Sequence, residues 1–216
     1  MWTGWYIGGN VGGSFGTASD SASIAGVPVG GGSPNLDGVV GGGQIGYNWQ
    51  ANAWVFGLEA DIQGTSEDGS NSTSLTTIIP GAPAVTGALS YSEKLPWFGT
   101  VRGRFGVLAN PNWLLYATGG LAYGEVDTSA TITSGALAAS SSFDTTRLGW
   151  TVGGGVEAFL SRNWSAKVEY LYVDLGSFSN TFTGMGTFTP VTLSTHVTDN
   201  IVRAGLDYHF GGPSGY

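Results

Sequence analysis

The sequence predicts an all-β protein, an eight-stranded antiparallel up-and-down transmembrane β-barrel with four long external loops and three short periplasmic turns. Three observations lead there. Short runs alternate apolar and polar residues with period two, and no segment carries a helical period. The connections between these runs alternate long and short, as the two ends of a meander barrel require. Each short connection is followed at once by tryptophan, at Trp54, Trp113 and Trp164, which sets a ring of indoles at one depth.

Composition narrows the class. Only 10% of the 216 residues are charged, against about a quarter in soluble domains. Glycine (38 residues), serine and threonine replace the missing charge, and cysteine is absent, so no disulfide framework exists. No run reaches the roughly 18 apolar residues of a spanning helix. The opening Met1-Trp2-Thr3-Gly4-Trp5 has no basic region followed by an apolar one. Residence in a bacterial outer membrane therefore implies a signal peptide already removed. The length suits one barrel domain over residues 1–210, with 211–216 as a short periplasmic tail.

The first run, Trp5 to Ser14, sets Trp5, Ile7, Gly9 and Val11 against Tyr6, Gly8, Asn10 and Gly12. Phe15 to Gly38 is rich in Gly, Ser and Pro and reads as a long loop. Val39 to Trp49 alternates again, turns at Gln50 to Ala53, and returns through Trp54 to Gln63 with Glu59 and Asp61 on its polar face. Gly64 to Leu95 reads as the second loop. Pro96 to Leu108 sets Trp97, Val101 and Phe105 against Thr100, Arg102 and Arg104, and Ala109 to Asn112 is a tight turn. Trp113 to Val126 follows, then a third loop from Asp127 to Thr146. Arg147 to Leu160 and Trp164 to Leu175 flank a turn at 161–163 and carry Arg147, Glu157, Lys167 and Glu169 on their polar faces. Gly176 to Val197 is the fourth loop. Asn200 to Phe210 closes the series with Val202, Ala204, Leu206, Tyr208 and Phe210 opposite Arg203, Gly205, Asp207 and His209, and should pair with the first run.

Alternation alone does not distinguish a membrane barrel from a soluble one. A soluble barrel would show about 25–35% ionic residues on its outer face, whereas these polar faces are mostly Gly, Thr, Ser and Asn. The girdle is a second argument, with Trp49 joining Trp54, Trp113 and Trp164. Charge balance is a third. Arg102, Arg104, Arg147, Lys167 and Arg203 match Glu59, Asp61, Glu157, Glu169 and Asp207, five against five. A closed lumen demands such pairing, and water does not. The other acids fall in the loops or at their mouths, which leaves the net charge at −8. An eight-stranded barrel is just wide enough to be filled by side chains. These charges, with Tyr6, Tyr116 and Phe98, are expected to plug it. Inward Gly42, Gly46, Gly153 and Gly155 either make room for long side chains or relieve strain in a tightly curved sheet.

The motifs W-T-G-W-Y-I-G-G-N, G-Q-I-G-Y-N-W, W-V-F-G-L-E-A-D-I, V-R-G-R-F-G, W-L-L-Y-A-T-G-G-L-A-Y-G, W-S-A-K-V-E-Y-L-Y-V-D-L-G and R-A-G-L-D-Y-H-F run through every predicted strand. In this order they resemble the small outer-membrane β-barrel family of alphaproteobacteria, porin-like and immunogenic surface proteins. The resemblance implies export, insertion by the barrel-assembly machinery, and a mainly structural role in envelope integrity and surface contacts, without catalysis or a cofactor. Its partners would be outer-membrane lipid and lipopolysaccharide, with peptidoglycan or a host surface beyond them, and no nucleic acid. Relatives that bind haem or attach to peptidoglycan belong to the same family. Met1-Trp2 stands where anchored members carry a leading Ala/Asp segment, so anchoring is not carried over.

Other signals have blander readings. Gly41, Gly43 and Gly46 match G-x-G-x-x-G, but no helix follows, so a strand of small residues explains them. His209 reads as a packed lumen residue. His196, with Met185 further out, is the candidate surface haem ligand. Ser194, His196 and Asp199 are close in sequence and raise lipid-modifying catalysis as a remote reading. A narrow porin-like channel is the remaining functional alternative.

Overall fold

The computed structural model describes residues 1–24, 26–32, 35–77, 85–134, 137–182 and 191–210; Met185 and the tail at 211–216 lie outside them. Among these described residues nine strands form one antiparallel sheet: β1 (Gly4–Ile24), β2 (Val27–Gly32), β3 (Asn35–Ala51), β4 (Trp54–Thr77), β5 (Val85–Asn110), β6 (Trp113–Ser134), β7 (Leu137–Phe159), β8 (Trp164–Phe182) and β9 (Val191–Phe210). Strands β2 and β3 run one after the other along the same side of β1, so together they make a single stave. Closure comes from β1 against β9, paired without interruption from Trp5–Phe210 to Ile24–Val191. The result is an eight-stave barrel.

The segments that read as loops prove to be mostly strand. The described residues of the runs 15–38, 64–95, 127–146 and 176–197 continue the ladders above the barrel. Many of their described outward positions are polar, with Ser90, Ser129, Thr133, Ser140, Ser142 and Ser179 exposed. Outside lipid the outer face no longer needs apolar residues, so alternation fades although threonine still favours strand. The short ends are as tight as expected. Asn52 turns with positive φ (56°), and the Asn110 side chain accepts the Asn112 N–H at 2.9 Å.

Every second residue meets lipid. Trp49, Trp54, Trp113 and Trp164 all face outward, 47–50% exposed, and each lies next to a short turn, which puts them at the same end of the barrel. Trp5 and Tyr208 extend this girdle through edge contacts with Tyr47 and Trp164. A second girdle, not singled out in the sequence, lies at the other edge of the band. Trp97 packs with Tyr123 and Trp150 with Tyr172, and the Trp97 indole donates to Glu125 at 2.9 Å. From Trp5 to Phe15 along β1 the rise is roughly 33 Å along the strand, or about 25 Å after tilt, the height of an outer-membrane apolar band.

The lumen is layered. At the short-turn end Trp2 turns inward, donates its indole N–H to the Pro111 carbonyl at 3.3 Å, and packs on Phe159 with ring centroids 4.4 Å apart. Val55 and Leu114 complete this apolar floor. At the outer end Leu95, Phe98, Leu171, Val173, Val197 and Ile201 make an apolar ceiling. The main charge cluster lies between, while Asp199 is buried at the height of the ceiling, between Val197 and Ile201 on β9.

Glycine packing offers a check. A Cβ on Gly46 would collide with the Tyr6 phenol, which hydrogen bonds hold in place. Gly46→Ala should destabilise the folded barrel by about 1–3 kcal/mol, and Tyr6→Leu in the same chain should recover part of that. Urea unfolding in lipid vesicles measures both.

Candidate functional site

The lumen cluster draws on strands all round the barrel. Alternation on β5 (V-R-G-R-F) sends Arg102 and Arg104 inward; β4 supplies Glu59 and Asp61, β8 Lys167 and Glu169, β7 Glu157, and β9 Arg203, Asp207 and His209. Glu59 is the hub. One carboxylate oxygen meets Arg102; the other accepts from Lys167 at 2.9 Å and the Tyr6 hydroxyl at 2.6 Å, with Arg104 at 3.7 Å. Strands β4 and β8 are four staves apart, so the Lys167–Glu59 pair crosses the full lumen. Arg102 also donates to Asp61 at 2.8 Å and Glu169 at 3.1 Å. Arg203 joins the same two carboxylates, at 2.9 Å to Asp61 and 2.8 Å to Glu169.

A second group sits nearer the floor. Arg104 donates to Glu157 at 2.7 Å, and its guanidinium lies 4.0 Å from the Tyr116 ring centroid. The Tyr116 hydroxyl donates to Glu169 at 3.0 Å. Glu157 also accepts from Ser165 at 2.6 Å and lies 3.3 Å from His209 Nε2. Asp207 accepts from the Gln44 amide and lies 3.8 Å from Lys167. All nine charged members are at most 5% exposed.

Cross-strand glycines make this density possible. Arg102 stands opposite Gly120, Arg104 opposite Gly57, Glu59 opposite Gly46 and Glu169 opposite Gly155. Lys167 faces Gly205, Arg203 faces Gly12 and Asp207 faces Gly8. A Cβ at Gly8 or Gly155 would strike a lumen side chain, Asp207 or Tyr116. At each of these, and at Gly42 and Gly153, it would also strike the neighbouring strand's carbonyl, so the glycines make room for side chains and backbone to pack closely.

The structure departs from the expected set at several points. Arg147 is not in the cluster: it keeps the inward register but stands ten residues from Glu157 along β7, roughly 33 Å away at the outer rim. The cluster is therefore four cations against five carboxylates. Asp199, placed among the acids of the loops and their mouths, is buried on the inward face of β9. That placement dismantles the grouping of Ser194, His196 and Asp199, because Ser194 and His196 occupy the opposite face. Ser194 instead bonds Ser179 at 2.6 Å. His196 is 42% exposed, with Nδ1 at 2.8 Å from Ser177 Oγ and Nε2 at 3.8 Å from Asp174. His209 is packed among Ser165, Glu157, Trp2 and Phe159. Gly41, Gly43 and Gly46 lie in β3. The side chains of Asp20, Glu67, Asp68, Glu93 and Asp144 are outside the described set, and Asp37 is exposed. Among the described residues no group of three or more His, Cys, Asp or Glu is placed to hold a metal ion.

Arg102 is the most connected cation. Arg102→Ala leaves Glu59, Asp61 and Glu169 short of compensation and should cost about 3–5 kcal/mol, with Arg102→Lys intermediate because it loses the two-armed guanidinium. The shift in urea midpoint reports both.

Comparison with known proteins agrees with this architecture. Residues 1–210 match the outer membrane protein beta-barrel domain. The chain is 40% identical to the 31 kDa outer-membrane immunogenic protein of Brucella melitensis, over 97% of this chain and 84% of that protein. It is 37% identical to the 22 kDa outer membrane protein of Rhizobium leguminosarum bv. viciae, over 63% of this chain and 53% of that protein. Among solved structures, the outer membrane protease OmpT of Escherichia coli superposes with a TM-score of 0.60 at 11% identity, covering 97% of this chain and 98% of that one. OprG of Pseudomonas aeruginosa gives 0.52 at 13% identity, with 97% and 98% covered. At such identities these two structures show the fold alone. The chain belongs to the outer membrane protein β-barrel domain family and is an outer-membrane protein.

Proposed function

We propose that the protein is a structural, non-conducting barrel that contributes to envelope integrity, with its external hairpins as the contact surface toward lipopolysaccharide or a host surface. One observation carries the reading. The lumen is spanned wall to wall by the Lys167–Glu59 and Arg102–Glu169 pairs, between an apolar floor around Trp2 and an apolar ceiling around Phe98. An ion moving through would have to break buried pairs and then cross two low-dielectric layers. The reading of His196 as a haem ligand has less support, since its two ring nitrogens face Ser177 and Asp174. Insertion by the barrel-assembly machinery belongs to the same proposal through the family.

Purified protein in planar bilayers should give no conductance steps above baseline, and a reproducible single-channel current would favour the narrow-channel reading instead. Cells lacking the protein should become more sensitive to detergent. Unchanged sensitivity would remove the envelope role.

A further inference from the structure

The buried charges of the main lumen cluster do not sum to zero. Arg102, Arg104, Lys167 and Arg203 stand against Glu59, Asp61, Glu157, Glu169 and Asp207, all of them buried. The apolar floor and ceiling hold water away from this group. A surplus carboxylate in such a place calls for a counter-charge or a proton. One further base is buried against these carboxylates, at the short-turn end of β9. His209 places Nε2 2.9 Å from Ser165 Oγ and 3.3 Å from Glu157 Oε1.

Hydrogen-bond directions fix one of its two nitrogens. The Glu157 carboxylate only accepts, so the Ser165 hydroxyl donates to Oε1 at 2.6 Å. Its one hydrogen is thereby committed, Ser165 Oγ accepts from His209, and Nε2 carries hydrogen. Backbone bonds hold the ring in this pose: the His209 N–H donates to the Asn163 carbonyl, and the Asn163 amide donates to the His209 carbonyl, both at 2.8 Å. Trp2, Tyr6 on β1 and Phe159 on β7 surround the ring, with centroids 5.9, 5.4 and 4.8 Å away. The second oxygen of Glu157, Oε2, is taken by Arg104 of β5 at 2.7 Å, which leaves Oε1 to Ser165 and His209. Asp207, two residues back on β9, has Lys167 of β8 at 3.8 Å and accepts from the Gln44 amide.

The charge of the whole cluster then depends on whether His209 Nδ1 carries a second proton. A free imidazole binds a proton more tightly than a carboxylate by about two pH units, so a proton that restores the balance goes to the ring. We propose that the folded barrel retains one proton on His209 at neutral pH, as the fifth cation of the lumen network, and that losing it at alkaline pH destabilises the barrel. The lumen is thereby a pH-sensitive device as well as a plug.

Nitrogen-15 NMR of the full chain in detergent micelles, labelled at histidine and compared with His196→Ala for assignment, reads this proton directly. Both ring nitrogens of His209 should be protonated at about pH 7.5, roughly one unit above the free imidazole value. A ring with one bare nitrogen at that pH would overturn the proposal. Asp207→Asn keeps an acceptor for Gln44 and removes the surplus carboxylate, so His209 should become neutral in that variant. A ring still charged there would assign the proton to Glu157 alone and overturn the charge balance.

Urea unfolding gives an independent reading through linkage. The unfolded chain binds this proton only below about pH 6.5, whereas the folded barrel keeps it above that value. The stabilisation is therefore complete below the unfolded value and is lost as pH rises, by about tenfold in the folding equilibrium per pH unit, until the folded barrel also releases the proton. Asp207→Asn should flatten that slope. Equal slopes in the two proteins, or no slope in the wild type, would count against the proposal.

Discussion

The interaction on which the molecule turns is the compensation of Glu59 by cations from three other strands. Arg102 arrives from the adjacent β5, Lys167 from the opposite wall on β8, and Arg203 approaches from β9. Each would be costly to bury alone, by several kcal/mol after relaxation. Together they fix the register of the barrel. A one-residue slip of β9 against β1 would turn Arg203, Asp207 and His209 toward lipid and bring Val202, Leu206 and Tyr208 into the lumen. At roughly 2–4 kcal/mol for a cation near the bilayer midplane, Arg203 alone makes that slip unfavourable. Specificity of pairing therefore follows from the charges, while the lipid-facing apolar residues supply the drive to insert.

The layers above and below the cluster make those charges count for more. Trp2, Phe159 and Leu114 close one end, and Phe98, Leu171 and Ile201 the other. With water held back, attraction inside the cluster is screened less than at a surface. The same exclusion makes each unmatched group more expensive. Hydroxyl and amide donors consequently fill positions that further cations would overcrowd: Tyr6 on Glu59, Tyr116 on Glu169, Ser165 on Glu157 and Gln44 on Asp207.

The legible parts of the sequence are those where lipid imposes contrast. In β8, Trp164, Ala166, Val168 and Tyr170 alternate with Ser165, Lys167 and Glu169, and every one of them lies on the face that alternation assigns. The tryptophans after the short turns are legible for a related reason, because the interface accepts few other residues there. Outside lipid the contrast disappears. Around Ser140 and Ser142 polar residues face water and Ser, Ala and Thr dominate, so a strand looks like a loop. Alternation gives Arg147 its inward face but not its height. Counting residues toward the outer girdle puts it at the rim, where Asp199 also lies. Trp2 has no signal at all, since a lone indole before the first strand says nothing about folding back into the floor.

Height also explains where the barrel changes character. The bulges on β4 between Gly64 and Glu67, on β5 between Lys94 and Trp97, and on β8 between Asp174 and Ser177 all sit beside the outer aromatic girdle, with Gly64 paired to Trp97 and Asp174 to Trp150. Below that level an unpaired N–H or C=O would face hydrocarbon, at several kcal/mol each, so the sheet stays closed on itself. Above it water satisfies the same groups and closure is no longer enforced. Two separate walls, β4 to β7 and β8 through β9 and β1 to β2, become permissible at that height and no lower. The ends of the β7–β8 pairing at Trp150–Asp174 and of the β3–β4 pairing at Val40–Thr65 thus mark the boundary between lipid and water as surely as the tryptophans do.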